Sequence, residues 1–505
     1  MNINQPMTVL KTLQKLRADV FAEGEATFAE WRPSIKRRSF LLSSPNFAYY
    51  LAFRHHDLRE LQAELIPLGL SSLGRSEGHV LENLDAVIAS LTAICKQPTV
   101  DRPSVKAFHR GGRQLDRNTN IVLGAPPLHR RVRIMVTLPT EAATDPALVA
   151  DLVKRGMDWA RINCAHDDAE AWTQMIDHIR QAEQVEGRRC GILMDLGGPK
   201  ARTGVIVAPH HANLLFNGDR LLLTEAEPIK EKSKKGDRTA VAAIPFKAQC
   251  LIPEVFAQLK VGDPVWIDDG HLGTQVEELV PEGAILRVTY ANVAGYKLRS
   301  GKGLNFPETA LELSALTDKD RIDLQFVMAH ADAVGYSFVQ TAEDVTQLQE
   351  LIQQHSDLRA QVQPPLAPLV MIAKIETRKA IKNLPEIIVQ AAGQQPFGVM
   401  IARGDMAVEV GYERMAEIQE ELLWLCEAAH VPVIWATQVL EQFVTLGVPS
   451  RPEMTDAAMS ERAECVMLNK GPFVAEAVTM LDNVLTRMQA HQNKKTPQLR
   501  SLHSW

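Results

Sequence analysis

Two apolar runs that end in charged residues hold the sharpest chemistry in this sequence: MIAKIETR at 371–378 and VMIARGDMAVE at 399–409. A buried strand that stops abruptly in Lys374 and Glu376, or in Arg403, Gly404 and Asp405, delivers acids and bases to the mouth of a parallel barrel. Glu376 and Asp405 offer the hard oxygens that ligate one Mg2+ or Mn2+, and Lys374 beside them is a fixed cation for an anionic substrate. Standing alone, the two segments fit two strands with solvated charges at their ends equally well.

The neighbouring segments narrow the choice. From about residue 132 strand-like apolar runs alternate with amphipathic helical stretches, the pattern of a parallel α/β fold. The runs are RIMVTLP (133–139), WARINCA (159–165), CGILMDL (190–196), AVGYSFV (333–339), LVMIAKIE (369–376), FGVMIARGD (397–405), PVIWATQ (432–438) and CVMLNKG (465–471). Eight runs predict a closed (β/α)8 TIM barrel, with helices such as DPALVADLVKRGM and AEIQEELLWLCEAAH between them. Arg161, Asn163, Asp195, Lys374, Glu376, Asp405 and Thr437 all fall at the C-terminal ends of these strands, where barrel enzymes keep their sites. One shared pocket explains that coincidence better than unrelated strand ends do.

Several of these segments, in this order along the chain, resemble motifs of the pyruvate kinase family: ARINCAH, MDLGGPKARTG, WIDDG, GKGLNFPE, AKIET, ARGDMAVE, WATQVLE and PSRPEMTDAA. The resemblance covers roughly residues 130–490. It implies transfer of a phosphoryl group from phosphoenolpyruvate to ADP, giving pyruvate and ATP, with Mg2+ or Mn2+ as cofactor. Arg161 and Lys374 would then contact the transferring group, Lys374 neutralising its equatorial oxygens in the transition state. Glu376 and Asp405 would hold a divalent ion that bridges the phosphate and carboxylate of the substrate and acts as a Lewis acid towards the enolate. Main-chain amides around Arg403, Gly404 and Asp405 would cradle the substrate carboxylate. Thr437 would stand near the methylene carbon that is protonated, and Arg202 and His166 would lie towards the nucleotide phosphates.

The sequence also departs from the family's pattern. Of the monovalent-cation region, Asn163 and Asp195 remain, but Ala165 and Leu196 replace hydroxyl residues and Lys200 replaces a glutamate. Two lost oxygens weaken a K+ site, and a lysine ammonium can supply the missing charge. The expectation is therefore that Lys200 replaces K+ and that K+ is not required. MLNKGPF (467–473) stands where the family has Ser, Gly, Glu and Thr, with Asn469 at the serine's position, which bears on the protonation step. The chain ends at Trp505 soon after a helix near 473–491, so the family's C-terminal regulatory domain is expected to be missing.

Between Thr203 and Lys302 the periodicity changes to two, in RLLLTEA, DPVWIDDG, TQVEELV and AILRVTY. This predicts a small β domain inserted after the third strand, a lid whose closure would exclude water. Asp268, Asp269 and Gly270 read there as turn residues, and KEKSKKGDR as a solvated loop. The domain boundaries expected are 1–128 for an N-terminal helical module and linker, 129–204 and 302–492 for the barrel, 205–301 for the lid and 493–505 for a tail.

Within the N-terminal module, FAYYLAFRHHDLRELQAELIPLGL and EGHVLENLDAVIASLTAI are helix candidates. Ser76 is a candidate cap for the second, and 98–128 reads as a linker. The helix, Gly-Leu turn, helix order is similar to the SAP nucleic-acid-binding motif. Acids balance bases there, so no nucleic acid is expected as partner, and a packing or homo-oligomerisation module fits better.

At 505 residues with net charge −6, the chain has room for all these parts and no general affinity for polyanions. Cys95, Cys164, Cys190, Cys250, Cys426 and Cys465 show no CxxC spacing and read as thiols of a reducing, cytoplasmic compartment. Neither a membrane-spanning run nor a secretory leader is evident. Two other functions remain open: a metal-dependent lyase or aldolase acting on a pyruvate-like enolate, and a catalytically weak regulatory protein that binds a partner through its N-terminal helices.

Overall fold

The computed structural model describes residues 5–209, 213–228, 244–309, 311–362 and 366–498. The KEKSKKGDR segment lies outside the described residues. Eight parallel strands close into a barrel: Arg133–Thr137, Trp159–Asn163, Gly191–Asp195, Ala333–Tyr336, Val370–Ile375, Phe397–Ala402, Val433–Ala436 and Cys465–Leu468, the last pairing with the first. We call these the first to eighth barrel strands. Nearly every residue in them is buried, because helices cover the outside while side chains fill the inside. Met135, Trp159, Leu193, Ile372, Met400, Ile434 and Met467 form the inner cluster.

Helix starts are set by residues the sequence makes plain. Asp145 accepts from the amides of Ala147 and Leu148 ahead of helix Pro146–Arg155, and Asp168 from Ala171 ahead of Ala169–Glu186. Thr317, Thr341 and Ser450 form reciprocal capping boxes with Asp320, Asp344 and Glu453. Each box fixes where a chain leaving the barrel mouth turns back, and so fixes the strand end that carries the site.

Between the third and fourth strands the chain builds a seven-stranded, mostly antiparallel sheet with its own core of Leu221, Val265, Ile267, Leu286 and their neighbours. It takes in Thr203–Val207 and Leu304–Asn305, a little outside 205–301. The entering and returning chains are stitched together where they cross: Thr203 N donates to Lys302 O at 2.8 Å, and Leu304 N to Ala201 O at 2.8 Å.

The N-terminal part corrects three expectations. First, the helix expected over 47–70 is two, Ser44–Arg54 and Arg59–Leu65, broken where Asp57 Oδ1 accepts from the Arg59 amide. Both pack with a long helix, Gln5–Trp31, that the sequence reading did not single out. Second, Ser76 does not cap the next helix, Val80–Ile94. Asn46 Oδ1 takes the Val80 amide at 3.0 Å, while Ser76 Oγ donates to Leu73 O and accepts from Asn83. Third, 98–128 is no mere linker, because it contains helix Arg110–Leu123. Gly111 and Gly112 look like breakers, yet a Cβ on Gly111 would lie 1.8 Å from Gly78 O, so close backbone approach demands the first. The helix ends with Val122 and Leu123 in the inner barrel cluster and Leu123 O accepting from Trp159 Nε1 at 2.8 Å, which plugs the lower end of the barrel.

Where this module meets the barrel, His430 is buried; its Nε2 donates to Gly78 O at 3.2 Å and its Nδ1 has no partner. Burial pushes its pKa down to about 4, and that of its neighbour His79 to about 4 as well. The folded values lie below the unfolded value of about 6.5, so the unfolded chain binds more protons between them. That contribution to stability is complete above about pH 6.5 and is lost as pH falls towards about 4. The urea midpoint should therefore decline on acidification across this window, and less steeply in His430→Gln. An unaltered slope in the variant would place the loss elsewhere.

Candidate active site

The strand ends and the inserted sheet enclose a polar cleft of about 610 Å³. The second barrel strand contributes Arg161 and Asn163, the fifth Lys374 followed by Glu376, the first turn of helix Arg403–Val410 Asp405, the segment after the seventh strand Thr437 and Glu441, and the loop after the eighth Asn469 and Lys470. Lys200 leads into the inserted sheet, which adds Asp269 and Lys302. No described helix is long and apolar enough to cross a membrane.

Asp195 organises the floor of this cleft. Its Oδ2 lies 2.6 Å from Arg161 Nη2 and 3.4 Å from Lys374 Nζ, and Arg161 also donates to Thr137 Oγ1 at 3.0 Å. Asp195 Oδ1 is pressed against Gly335, where a Cβ would come within 1.8 Å, and makes no hydrogen bond. Burial opposes ionisation of Asp195, but Arg161 and Lys374 outweigh it and hold its pKa below the usual carboxylate range. Lys374 donates to Ser337 Oγ at 2.7 Å and lies 2.9 Å from Glu376 Oε1. Burial would lower its pKa, yet Glu376 and Asp195 raise it, so Lys374 stays an ammonium.

The two candidate metal ligands are driven apart in acidity. Burial raises the pKa of Glu376, and Asp405 adds to the rise against the pull of Lys374. Burial opposes ionisation of Asp405 too, but Lys200, with Nζ 2.6 Å from Oδ1, brings it down. Two carboxylates from adjacent strand ends that repel one another across a cleft form a donor set suited to a cation. Mg2+ is held by one or two carboxylates plus substrate oxygens and water rather than by a full protein cage. Glu376 and Asp405, both lining the cleft, supply two such carboxylates.

Other expected residues fall differently. Lys200 is engaged by Asp405 and, at 3.9 Å, Asp269, not by Asn163 or Asp195 where a K+ was expected to be replaced. Asn163 Oδ1 is occupied by the Ala165 amide in a local turn. The Gly404 amide, expected to face a substrate carboxylate, donates instead to Thr437 Oγ1 at 2.8 Å. The Arg403 side chain does not line the cleft; it grips Asp456 at 2.8 Å, donates to Thr437 O at 2.6 Å and lies 4.6 Å over Trp435. That clamp holds Thr437 in a left-handed conformation, φ 61°.

His166 lines the exposed rim, its pKa lowered by partial burial and then by Lys470 and Arg202. Arg202 lies outside the lining and donates to Gly301 O at 2.9 Å. Sequence reasoning missed Ser337, Lys302, Glu441 and Lys470. Asn469 donates to Glu441 Oε2 at 3.0 Å, and Glu441 lies beyond the seventh apolar run, which ends at Gln438.

A family model described as the barrel domain of pyruvate kinase matches residues 129–478. The chain belongs to the pyruvate kinase family. It is 32% identical over 371 residues to a pyruvate kinase of Agrobacterium vitis, covering 72% of this chain and 70% of that one. It is 32% identical over 367 residues to one from Methylorubrum extorquens, covering 71% and 69%. Against the pyruvate kinase PKLR of Rattus norvegicus it is 30% identical over 380 residues, covering 72% and 61%. Pyruvate kinases are phosphotransferases, so the chain is an enzyme of that class.

Asp195 neutralises two cations that have little solvent to fall back on. Asp195→Ala should therefore destabilise the protein by about 3–5 kcal/mol in chemical denaturation, as for other buried pairs robbed of one partner. Asp405→Asn, at the solvent-lined cleft, should cost far less. Similar losses for both would mean that Asp195 is not the central counter-charge.

Proposed function

We propose that the protein transfers the phosphoryl group of phosphoenolpyruvate to ADP, producing pyruvate and ATP, with Mg2+ or Mn2+ as cofactor and without need of K+. The observation that carries this reading is the convergence of Arg161, Lys374, Glu376 and Asp405 on one polar cleft under the inserted sheet. In the reaction a terminal oxygen of ADP attacks phosphorus, the phosphorus bond to the enol oxygen breaks, and the resulting enolate takes a proton at its methylene carbon. Lys374 and Arg161, both fixed by Asp195 before substrate arrives, meet the charge on the transferring oxygens without reorganising. Glu376 and Asp405 would hold the divalent ion. When bound, that ion supplies Lewis-acid charge to substrate oxygens.

Thr437 and the Asn469–Glu441 pair line the side of the cleft proposed for protonation, and Asn469 orients the Glu441 carboxyl where the family carries a serine. Nucleotide phosphates are proposed to lie towards His166, with Arg202 and Lys470 contributing positive potential there. We take the division into barrel and lid, with the inserted sheet excluding water from the cleft, as part of the same reading. Independence from K+ is supported by the state of Asp195, whose charge is already matched by two side-chain cations, and not by a direct role of Lys200 at that position. A lyase has no use for two cations poised at a transferred phosphate, which favours the kinase.

Pyruvate release from phosphoenolpyruvate and ADP with Mn2+ should proceed equally in K+ and Na+. It should fall by a factor of about 10² to 10³ or more in Lys374→Met, the loss typical of a removed transition-state donor. A steep rise in K+ would refute the monovalent-ion reading alone. Absence of turnover in either salt by folded protein would refute the kinase.

A further inference from the structure

We propose that a cavity beneath the barrel, at the end opposite the polar cleft, binds a small organic anion, a carboxylate or phosphate carried on an apolar ring. The cavity holds about 500 Å³, room for one ring and its anionic group. It lies between the end of the plug helix, Arg110–Leu123, and the starts of the second to fifth barrel strands. Val122, Pro126, Trp159 and Val370 give it apolar walls, and Arg189 and Arg359 line it as well.

The arginines carry the argument for an anion. Arg359 is 7% exposed and Arg133, behind the cavity wall, 3%, yet among the described residues neither pairs with a carboxylate. Arg359 donates only to main-chain oxygens, to Ala367 O at 2.7 Å, Ala331 O at 2.9 Å and Met328 O at 3.1 Å. Arg133 donates to Asn120 Oδ1 at 2.7 Å, to Arg131 O at 3.0 Å and to Gly124 O, and Asn120 and Gly124 are themselves part of the cavity wall. A helix ends at each arginine, Asp318–His330 at Ala331 and Arg110–Leu123 at Gly124. A helix C-terminus supplies about half an elementary negative charge, so about half of each guanidinium charge is left uncompensated. Burial there already lowers both pKa values. The rim adds to the excess: Asp332 lies 2.6 Å from Arg189 and 3.5 Å from Arg180, one carboxylate for two guanidinium groups. Buried charge without a counter-charge is costly, and an anion in the cavity relieves that cost. Donors remain for it, because Arg359 Nη2 makes no hydrogen bond among the described residues and Arg189 uses only Nη2, on Asp332. A guanidinium fork fits carboxylate and phosphate oxygens alike, and the apolar walls take the ring.

The test is titration calorimetry of the full chain with phenyl phosphate and benzoate, using benzyl alcohol and benzylamine as uncharged and cationic controls. Wild type should bind at least one of the anions and neither control, and the anion it binds should raise the thermal unfolding midpoint. Binding of one anion alone supports the site and identifies phosphate or carboxylate as the group it takes. Arg359→Met should weaken anion binding about tenfold or more, the loss that follows from removing a charge-assisted hydrogen bond. Ala125→Trp, which places an indole at the exposed edge of the cavity, should weaken it as much and remove the thermal shift. If Arg359→Met does not fold, Ala125→Trp and Arg189→Ala decide, since both positions are exposed. Anion affinity unchanged in folded Ala125→Trp puts the binding elsewhere, the polar cleft included, and overturns the proposal. So does the absence of binding by both anions, or binding of benzyl alcohol as tight as theirs.

Discussion

The site depends on one buried carboxylate. Asp195 has almost no exposure, yet Arg161 and Lys374 both reach Oδ2, and those two cations come from the second and fifth barrel strands. Moving such charges out of water is costly, and the cost is offset only by close pairing and satisfied donors. Thr137 and Ser337 take remaining donors of Arg161 and Lys374, so the first and fourth barrel strands are drawn into the same network. The pairing in turn depends on Gly335, because any side chain there would collide with Asp195. A constraint on one backbone position thus fixes where two cations stand at the cleft floor.

The barrel mouth can be this polar because the rest of the barrel is sealed by apolar packing. Val122 and Leu123 close the lower end against Trp159, below the inner cluster, while a separate buried ion pair, Arg130 with Asp158, lies at that lower end. The N-terminal helices are therefore continuous with the catalytic fold. Asn118 Nδ2 donates to His430 O at 2.7 Å, and Asn46 Nδ2 to Ala428 O at 2.8 Å, so both the plug helix and the outer helices hold the end of the helix leading into the seventh strand. That strand presents Thr437. A path of direct contacts runs from the N-terminal module to the cleft.

The barrel was legible in the sequence because each of its strands is buried on both faces, which leaves an unbroken apolar run closed by polar residues. Site membership followed from the same signal for Arg161, Asn163, Lys374, Glu376 and Asp405. Pairing did not follow, because it is a tertiary fact: Lys200 and Asp405 are 205 positions apart, and residue type alone left Lys200 as able to serve Asp195 as Asp405. Asp268 and Asp269 were read as turn formers, and they are, but the left-handed turn they build also aims Asp269 into the cleft. The plug helix was hidden for the opposite reason. Gly111 looks like a local breaker, and only the approach of Gly78 O explains it.

The charge balance of the cleft ties these observations to the proposed reaction. Its lining carries Arg161, Lys200, Lys302, Lys374 and Lys470 against Asp167, Asp269, Glu376, Asp405 and Glu441, so side-chain charges cancel in formal count. A near-neutral cleft has little long-range pull on a polyanion. Selection must then come from arrangement: Arg161 and Lys374 are locked at the floor, while the acids that oppose anion binding stand apart from them at Asp405 and on the inserted sheet at Asp269. The same neutrality keeps the site tolerable to the fold, since the buried Asp195, Lys374 and Glu376 each have a partner of opposite sign.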